Sequence, residues 1–337
     1  MNGENESTPE PIEVFAVAED PRLIAQRDWQ TAVARHGRRS LILAVILFLL
    51  TVLSTLAVGA QFSLAYARNQ APSFEGFLSA YLEILNRPEL LLAGIPFSFT
   101  LLGILLAHEL GHFFACRYYG IAASYPYFLP APTLIGTLGA FIRIRSPIVN
   151  RKALFDVGIA GPVVGFLFAA PALAIGVAFS KVVAEAGANS VVIFGNPLLP
   201  RLLESLLRPG VPHGDLLLHP VARAAWVGLF ATALNLLPAG QLDGGHILYS
   251  FASGWHRRIS LAVALLLVPL AYYCWVGWLP WAVILLLIGF RHPPLMDRCE
   301  PIDGRRRMWA FIALGIFLLC FTPWPFEWQS LREILLG

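Results

Sequence analysis

The 337-residue sequence predicts an all-α polytopic membrane protein of about 6–7 transmembrane helices, with a small membrane-associated β-hairpin. Three observations carry that reading. Hydrophobic residues make up 57% of the chain and charged residues 13%, where soluble domains carry roughly a quarter charged. Apolar runs of spanning length recur from residue 41 to residue 321. Basic residues cluster between alternate runs, as the positive-inside rule requires of a multi-pass chain. A soluble bundle would need many helices apolar on every side inside one globule, and the runs are too numerous for that.

Residues 1–20 are polar and acidic, with Pro9 and Pro11. A secretory signal would begin basic and turn apolar at once, so the first apolar run reads as a retained span. The runs cover about 41–62, 90–114, 155–179, 220–237, 259–276, 279–290 and 308–321. A hydrocarbon core about 30 Å thick needs roughly 20 helical residues, fewer where the bilayer thins or a bundle encloses the helix. Arg35, Arg38 and Arg39 precede the first run and place the N-terminus in the cytoplasm. Alternation then places Arg143, Arg145, Arg151 and Lys152 inside, followed by Arg257 and Arg258. Arg291, Arg298, Arg305, Arg306 and Arg307 fall inside too, while the outer loops 63–89 and 181–219 hold few basic residues.

Two features interrupt the helical pattern. Pro126, Pro130, Pro132 and Pro147 make a helix over 125–147 untenable. From Ala140 the residues alternate, with Phe141, Arg143 and Arg145 on one side, which predicts a strand or hairpin and a candidate edge strand over 139–145. Cys116, Cys274, Cys299 and Cys320 are scattered and predict no disulfide framework. The net charge of +3 and the absence of a basic, aromatic-interleaved surface argue against a nucleic-acid partner.

The chemistry concentrates in Ala107-His-Glu-Leu-Gly-His112, inside the second apolar run. Residues i and i+4 of a helix share a face, so His108 and His112 can reach one metal ion. Glu109 follows the first histidine, where it can contact a metal-bound water. Titratable residues inside an apolar helix are costly and mark function. A catalytic zinc takes three protein ligands and keeps one position open, so a third donor is required. Asp243, in Asn235-Leu-Leu-Pro-Ala-Gly-Gln-Leu-Asp-Gly-Gly-His246, is the candidate, with His246 as a rival or outer-shell residue. Gly244 and Gly245 permit close backbone approach, and Pro238 breaks the helix before them. Gly161 and Gly165 form a small-xxx-small face on the third run, suited to packing against the motif helix. Asp156 reads as a helix cap.

These motifs resemble those of the site-2 protease family of intramembrane zinc metalloproteases. The likeness rests on His108–His112, on Asn235-x-x-Pro238-x-x-x-x-Asp243-Gly-Gly, and on Phe155-Asp-Val-Gly-Ile-Ala-Gly-Pro162. It covers about residues 90–249. The resemblance implies zinc ligation by His108, His112 and Asp243, with Glu109 as catalytic base. It implies substrate contacts from Asn235 and from a membrane-associated hairpin over 136–145, of which Gly139, Phe141 and Arg143 are the candidates. No stretch has room for an inserted PDZ domain, so the PDZ-lacking branch is the closer match. Tyr127-Phe-Leu-Pro-Ala-Pro132 with Gly136-Thr-Leu-Gly-Ala140 resembles plastid and cyanobacterial members.

The expected activity is hydrolysis of peptide bonds in or near transmembrane segments, as in regulated intramembrane proteolysis. The expected cofactor is Zn2+, and the partners are a transmembrane protein substrate and the lipid bilayer. The expected organisation is a polar cytoplasmic segment (1–39), a first span and outer loop (40–89), a catalytic membrane core (90–258) and C-terminal transmembrane helices (259–337). The expected location is the inner membrane of a prokaryote, with the site toward the cytoplasm. Two alternatives stay open. A prenyl-protein protease with the same motif would need a downstream glutamate in a span, and none is found. The other is a zinc-binding membrane protein without protease activity.

Overall fold

A computed structural model describes residues 21–70, 82–148, 150–183, 194–288, 295, 301–326 and 331–336. Helix α1 (Pro21–Ala67) is followed by a 3-10 turn (Pro88–Gly94) that runs straight into α2 (Ile95–Tyr118). Pro96 sits in the first turn of α2, where its missing N–H costs nothing. The buried hydroxyls of Thr55 on α1 and Ser98 on α2 meet at 2.7 Å, a hydrogen bond between two otherwise apolar helices.

The hairpin comes next. Strand β1 (Tyr127–Pro130) pairs antiparallel with β2 (Thr137–Phe141), with Tyr127 opposite Phe141 and Phe128 opposite Ala140. Pro130 closes the ladder at its bulged end, where a missing N–H is tolerated. The hairpin lies on α1: Ser54 donates to the Gly136 carbonyl at 2.6 Å, and Phe128 packs edge-on against Phe48. The expected strand over 139–145 is corrected here, because the ladder ends at Phe141. Beyond it the Arg143 N–H goes to the Ser124 hydroxyl at 2.8 Å instead of a carbonyl. That substitution reduces further pairing to an isolated bridge between Ala123 and Ile144.

Helix α3 (Arg151–Ala178) starts at Asn150, whose side chain accepts from the Ala153 N–H at 2.8 Å. The cap is therefore Asn150 and not Asp156, which lies a turn and a half inside the helix. A second small sheet joins β3 (Lys181–Val182) to β4 (Leu216–Leu217), with helix α4 (Leu198–Leu207) between them in sequence. Helix α5 (Pro220–Asn235) leads through a tight turn into α6 (Asp243–Tyr273), which kinks at Ala252. Helices α7 (Trp278–Ile288), α8 (Gly304–Cys320) and α9 (Leu331–Leu336) complete the described chain.

Helices α2, α3 and α5 pack on one another and form the centre of the bundle. Among the described residues, three helical segments are long and apolar enough to cross a membrane: Ser40–Ala67, Pro88–Tyr118 and Arg151–Ala178. The other four apolar runs also become helical, as α5, the second part of α6, α7 and α8. They are shorter, and the apolar part of α6 lies beyond its kink. Rows of exposed Leu, Ile and Phe along the long helices present a lipid-compatible surface, and the chain is a helical membrane protein. Cys116, Cys274 and Cys320 are buried free thiols. Residues 1–20, Cys299 and the arginines at 291 and 298 lie outside the described residues.

Candidate metal centre

Helix α2 carries His108 and His112 one turn apart on its inner face, and both are buried. Their Nε2 atoms lie 3.1 Å from each other. Glu109 is 5% exposed, with the Ile142 backbone just beyond β2 near its carboxyl group. A carboxyl group at that depth survives only where a partner or a function retains it.

Helix α3 sets the imidazoles. The His112 Nδ1–H donates to the Val157 carbonyl at 2.7 Å. A carbonyl can only accept, so in a neutral ring the proton sits on Nδ1 and the Nε2 lone pair is free. Small residues make this possible. A Cβ on Gly161 would stand 2.1 Å from His112 Nε2, and one on Gly165 would stand 3.0 Å from His108 Nδ1. The glycine face expected to receive the motif helix does receive it.

Asp243 comes from the far side of the sequence. Helix α5 ends at Asn235, and the chain turns through Gly240, whose φ is +56°. Ser260 and His256 on α6 grip both sides of that glycine, at its N–H and its carbonyl, each at 3.1 Å. The turn delivers Asp243 as the first residue of α6, where the helix dipole favours a carboxylate. Gly244 lets the backbones close up, since a Cβ there would lie 2.1 Å from the Leu236 carbonyl oxygen. Asp243 Oδ2 is 3.2 Å from His108 Nε2, and Oδ1 is 3.3 Å from His112 Nε2.

The two Nε2 atoms therefore stand 3.1 Å apart, and the Asp243 carboxylate turns one oxygen to each of them, at 3.2 and 3.3 Å. Zinc bonds of roughly 2.0–2.1 Å in a tetrahedral site imply donor separations of about 3.3 Å. Two imidazoles and one carboxylate at that spacing would hold a zinc ion. The Val157 carbonyl supplies the outer hydrogen bond that holds a ligating histidine in its tautomer.

The other expected residues are placed less uniformly. Asn235 belongs to the cluster, with Nδ2 3.3 Å from His108 Nε2. Gly139 has φ +101° and lines a cavity beside α2 and α5. Phe141 and Arg143 are exposed, and Phe141 faces Tyr127 across the hairpin. His246 is not among the three converging donors, and its Cβ abuts Gly158. Sequence reasoning missed the roles of Val157, His256 and Ser260. His256 and Ser260 are four residues apart on one helix face, a spacing that could have paired them. Nothing in the sequence announces a carbonyl acceptor at Val157. Asp156, read as a cap, instead takes a two-pronged ion pair from Arg306, at 2.9 and 2.5 Å, and a hydrogen bond from the Tyr119 hydroxyl.

Two imidazoles one turn apart, met by a distant carboxylate among apolar helices, make up the donor set of a membrane zinc metallopeptidase. The chain belongs to peptidase family M50, the site-2 protease family, whose model matches residues 96–273. It is similar to "Probable zinc metalloprotease EGY1, chloroplastic" of Arabidopsis thaliana, 30% identical over 312 residues, covering 87% of this chain and 54% of the relative. "Probable zinc metalloprotease EGY2, chloroplastic" of the same plant is 29% identical over 294 residues, covering 81% and 49%. The rice (Oryza sativa subsp. japonica) "Probable zinc metalloprotease EGY1, chloroplastic" is 29% identical over 316 residues, covering 87% and 52%. The chain spans about half the length of the curated relatives it matches. No solved structure matches it.

Proposed function

We propose that the chain is an intramembrane zinc metalloprotease cleaving peptide bonds in or beside transmembrane segments of membrane proteins. One observation carries the reading: His108 and His112 meet the Asp243 carboxylate across 135 residues of sequence, inside a bundle of apolar helices. In this reading His108, His112 and Asp243 hold the metal. Zinc so held supplies Lewis acidity, which polarises a peptide carbonyl and brings the pKa of water to around 7. Glu109 accepts the proton of the attacking water and passes it to the leaving amine. The Asn235 amide donates a hydrogen bond to the negative charge that develops on the substrate carbonyl oxygen. A substrate helix hides its carbonyls in i to i−4 bonds, so it unwinds before it is cut. Strand β2 pairs only with β1 among the described residues, and its other edge can receive the extended chain beside Gly139, Phe141 and Arg143.

The four shorter apolar helices complete a seven-span topology, and the functional division follows it as 1–39, 40–89, 90–258 and 259–337. The arginine clusters orient the chain with the site toward the cytoplasm of a prokaryote's inner membrane. The relatives' names carry "chloroplastic", so a plastid membrane is the competing location. Membrane-impermeant thiol labelling of single cysteines at 145 and 210 reads the orientation. Labelling of 145 from the outside would overturn it.

The decisive experiment reconstitutes the full chain in liposomes with a single-span substrate. Glu109→Gln is expected to keep its zinc and lose cleavage by 100-fold or more. Unchanged cleavage removes the protease reading. Cleavage absent from the wild type as well, with zinc bound, favours the non-proteolytic alternative.

A further inference from the structure

A cavity of about 600 Å3 runs along the face of α2 that carries His108 and His112, and along α5. On α2, Leu101 and Leu105 line it, and they share one face with His108 and His112 at helical spacings of four, three and four. On α5 its lining includes Phe230, Ala231 and Leu234, the last adjacent to Asn235. Leu105 precedes His108 by three residues, or about 4.5 Å of rise, so the cavity begins one turn from the metal donors on the side of the helix middle.

The lining is apolar. Thr133 and Thr137 contribute its hydroxyls, and both are engaged within the hairpin. Thr137 donates to the Leu129 carbonyl at 2.8 Å, and Thr133 accepts from the Gly136 N–H at 3.2 Å. One wall is β2, through Thr137, Leu138 and Gly139. The far wall is Trp275, Trp281 and Phe326, all of which lie beyond the family-matched residues 96–273.

We infer that this cavity is the side-chain pocket of the protease site, selecting a large apolar residue of the substrate one to three positions from the bond that is cut. The inference rests on the protease reading above. Three features choose a substrate segment over a lipid tail. The pocket opens on the face of α2 that carries His108 and His112, and its α5 lining ends one residue before Asn235. A strand with a free edge forms its wall, which suits an extended chain. Like-facing side chains of an extended chain repeat every 6.6 Å or so, within the roughly 5–10 Å that separates the His108 level from Leu105 and Leu101. The volume falls within the roughly 300–1,000 Å3 of sites that enclose a compact ligand. Because the aromatic wall lies outside the shared family region, the preference belongs to this chain and its near relatives.

The test uses the full chain in liposomes and a synthetic single-span Leu/Ala peptide. In the first arm the Glu109→Gln protein is mixed with peptides carrying benzophenone-alanine in turn at each central position, and adducts are mapped by mass spectrometry. Adducts at 230–234 or 275–281 are expected from one or two adjacent like-facing positions. Peptide adducts elsewhere, with a photoactivatable phospholipid labelling those residues instead, would assign the cavity to lipid and overturn the inference. In the second arm the wild-type cut is located and kcat/KM compared for Phe and Ala at the mapped position. A preference of 10-fold or more for Phe is expected. Ala231→Trp, which fills the cavity, should bring the ratio near one, and Trp281→Ala should lower it; retained zinc verifies that both variants fold. A ratio unmoved in both variants overturns the inference. Labelling in the cavity without any wild-type cleavage sinks the protease reading alone and leaves the binding site standing.

Discussion

Replacing Gly161 by alanine tests the geometry of the centre more sharply than removing a ligand. A Cβ there would sit 2.1 Å from His112 Nε2 and 2.5 Å from its Cδ2 and Cε1. Ordinary contact begins at 3.4 Å, so the ring must retreat by about 1.3 Å or α2 and α3 must part. The helices resist parting, because Gly111 is already so close that its own Cβ would lie 2.6 Å from the Ala160 carbonyl oxygen. Metal ligands tolerate displacements of roughly 0.2 Å, so the shift removes His112 from a shared site. The expected outcome is a zinc affinity lower by 100-fold or more, beyond the roughly 10–100-fold that follows loss of an outer hydrogen bond. The fold should lose about 1–3 kcal/mol, the usual cost of overpacking. Gly165→Ala meets His108 Nδ1 at 3.0 Å, a contact relieved by a few tenths of an ångström, and should lose much less affinity. Gly103→Ala has nothing within 4 Å and should bind zinc as the parent does. Competition against a chromophoric chelator in detergent gives the affinities, and thermal unfolding gives the stabilities. Parental zinc affinity in Gly161→Ala, or an equal loss in Gly103→Ala, would refute the argument.

Two further predictions follow. Leu138→Pro removes an N–H from β2 at an exposed side chain, so proteolysis should fall at least tenfold while zinc content stays at parental level; unchanged proteolysis would remove the strand from substrate binding. Asp156→Asn and Arg306→Gln each break a two-pronged pair whose side chains are 30% and 18% exposed. A double-mutant cycle on thermal unfolding should give a coupling of about 1 kcal/mol, between surface and buried pairs, whereas a coupling near zero would make the pair incidental.

The parts of this molecule that were readable in the sequence are those with a short period or a fixed spacing. Apolar runs gave the helices because lipid demands a run of fixed length. The spacing of His108 and His112 gave one face because helical rotation is fixed. Gly161 and Gly165 gave the helix contact for the same reason. The strand over 139–145 was misplaced because the Ser124 hydroxyl, 19 residues upstream, takes the Arg143 N–H that a ladder would have used. Asp156 was misread because its partner Arg306 is 150 residues away, and a local rule for caps was applied where a distant ion pair decided. The Val157 carbonyl was invisible because every residue has one.

The placement of the centre depends more on absent side chains than on present ones. His112 is held by a backbone carbonyl on α3 while its ring lies where a Gly161 side chain would be. Asp243 reaches the imidazoles because Gly244 lets α6 begin against the Leu236 carbonyl. His112 and Asp243 are thus seated against main chain, which cannot relax as a side chain would. A rigid seat matters in lipid, where few alternative polar partners would rescue a displaced imidazole or carboxylate. The same rigidity makes conservative changes at Gly161 and Gly244 as damaging as changes to the donors themselves.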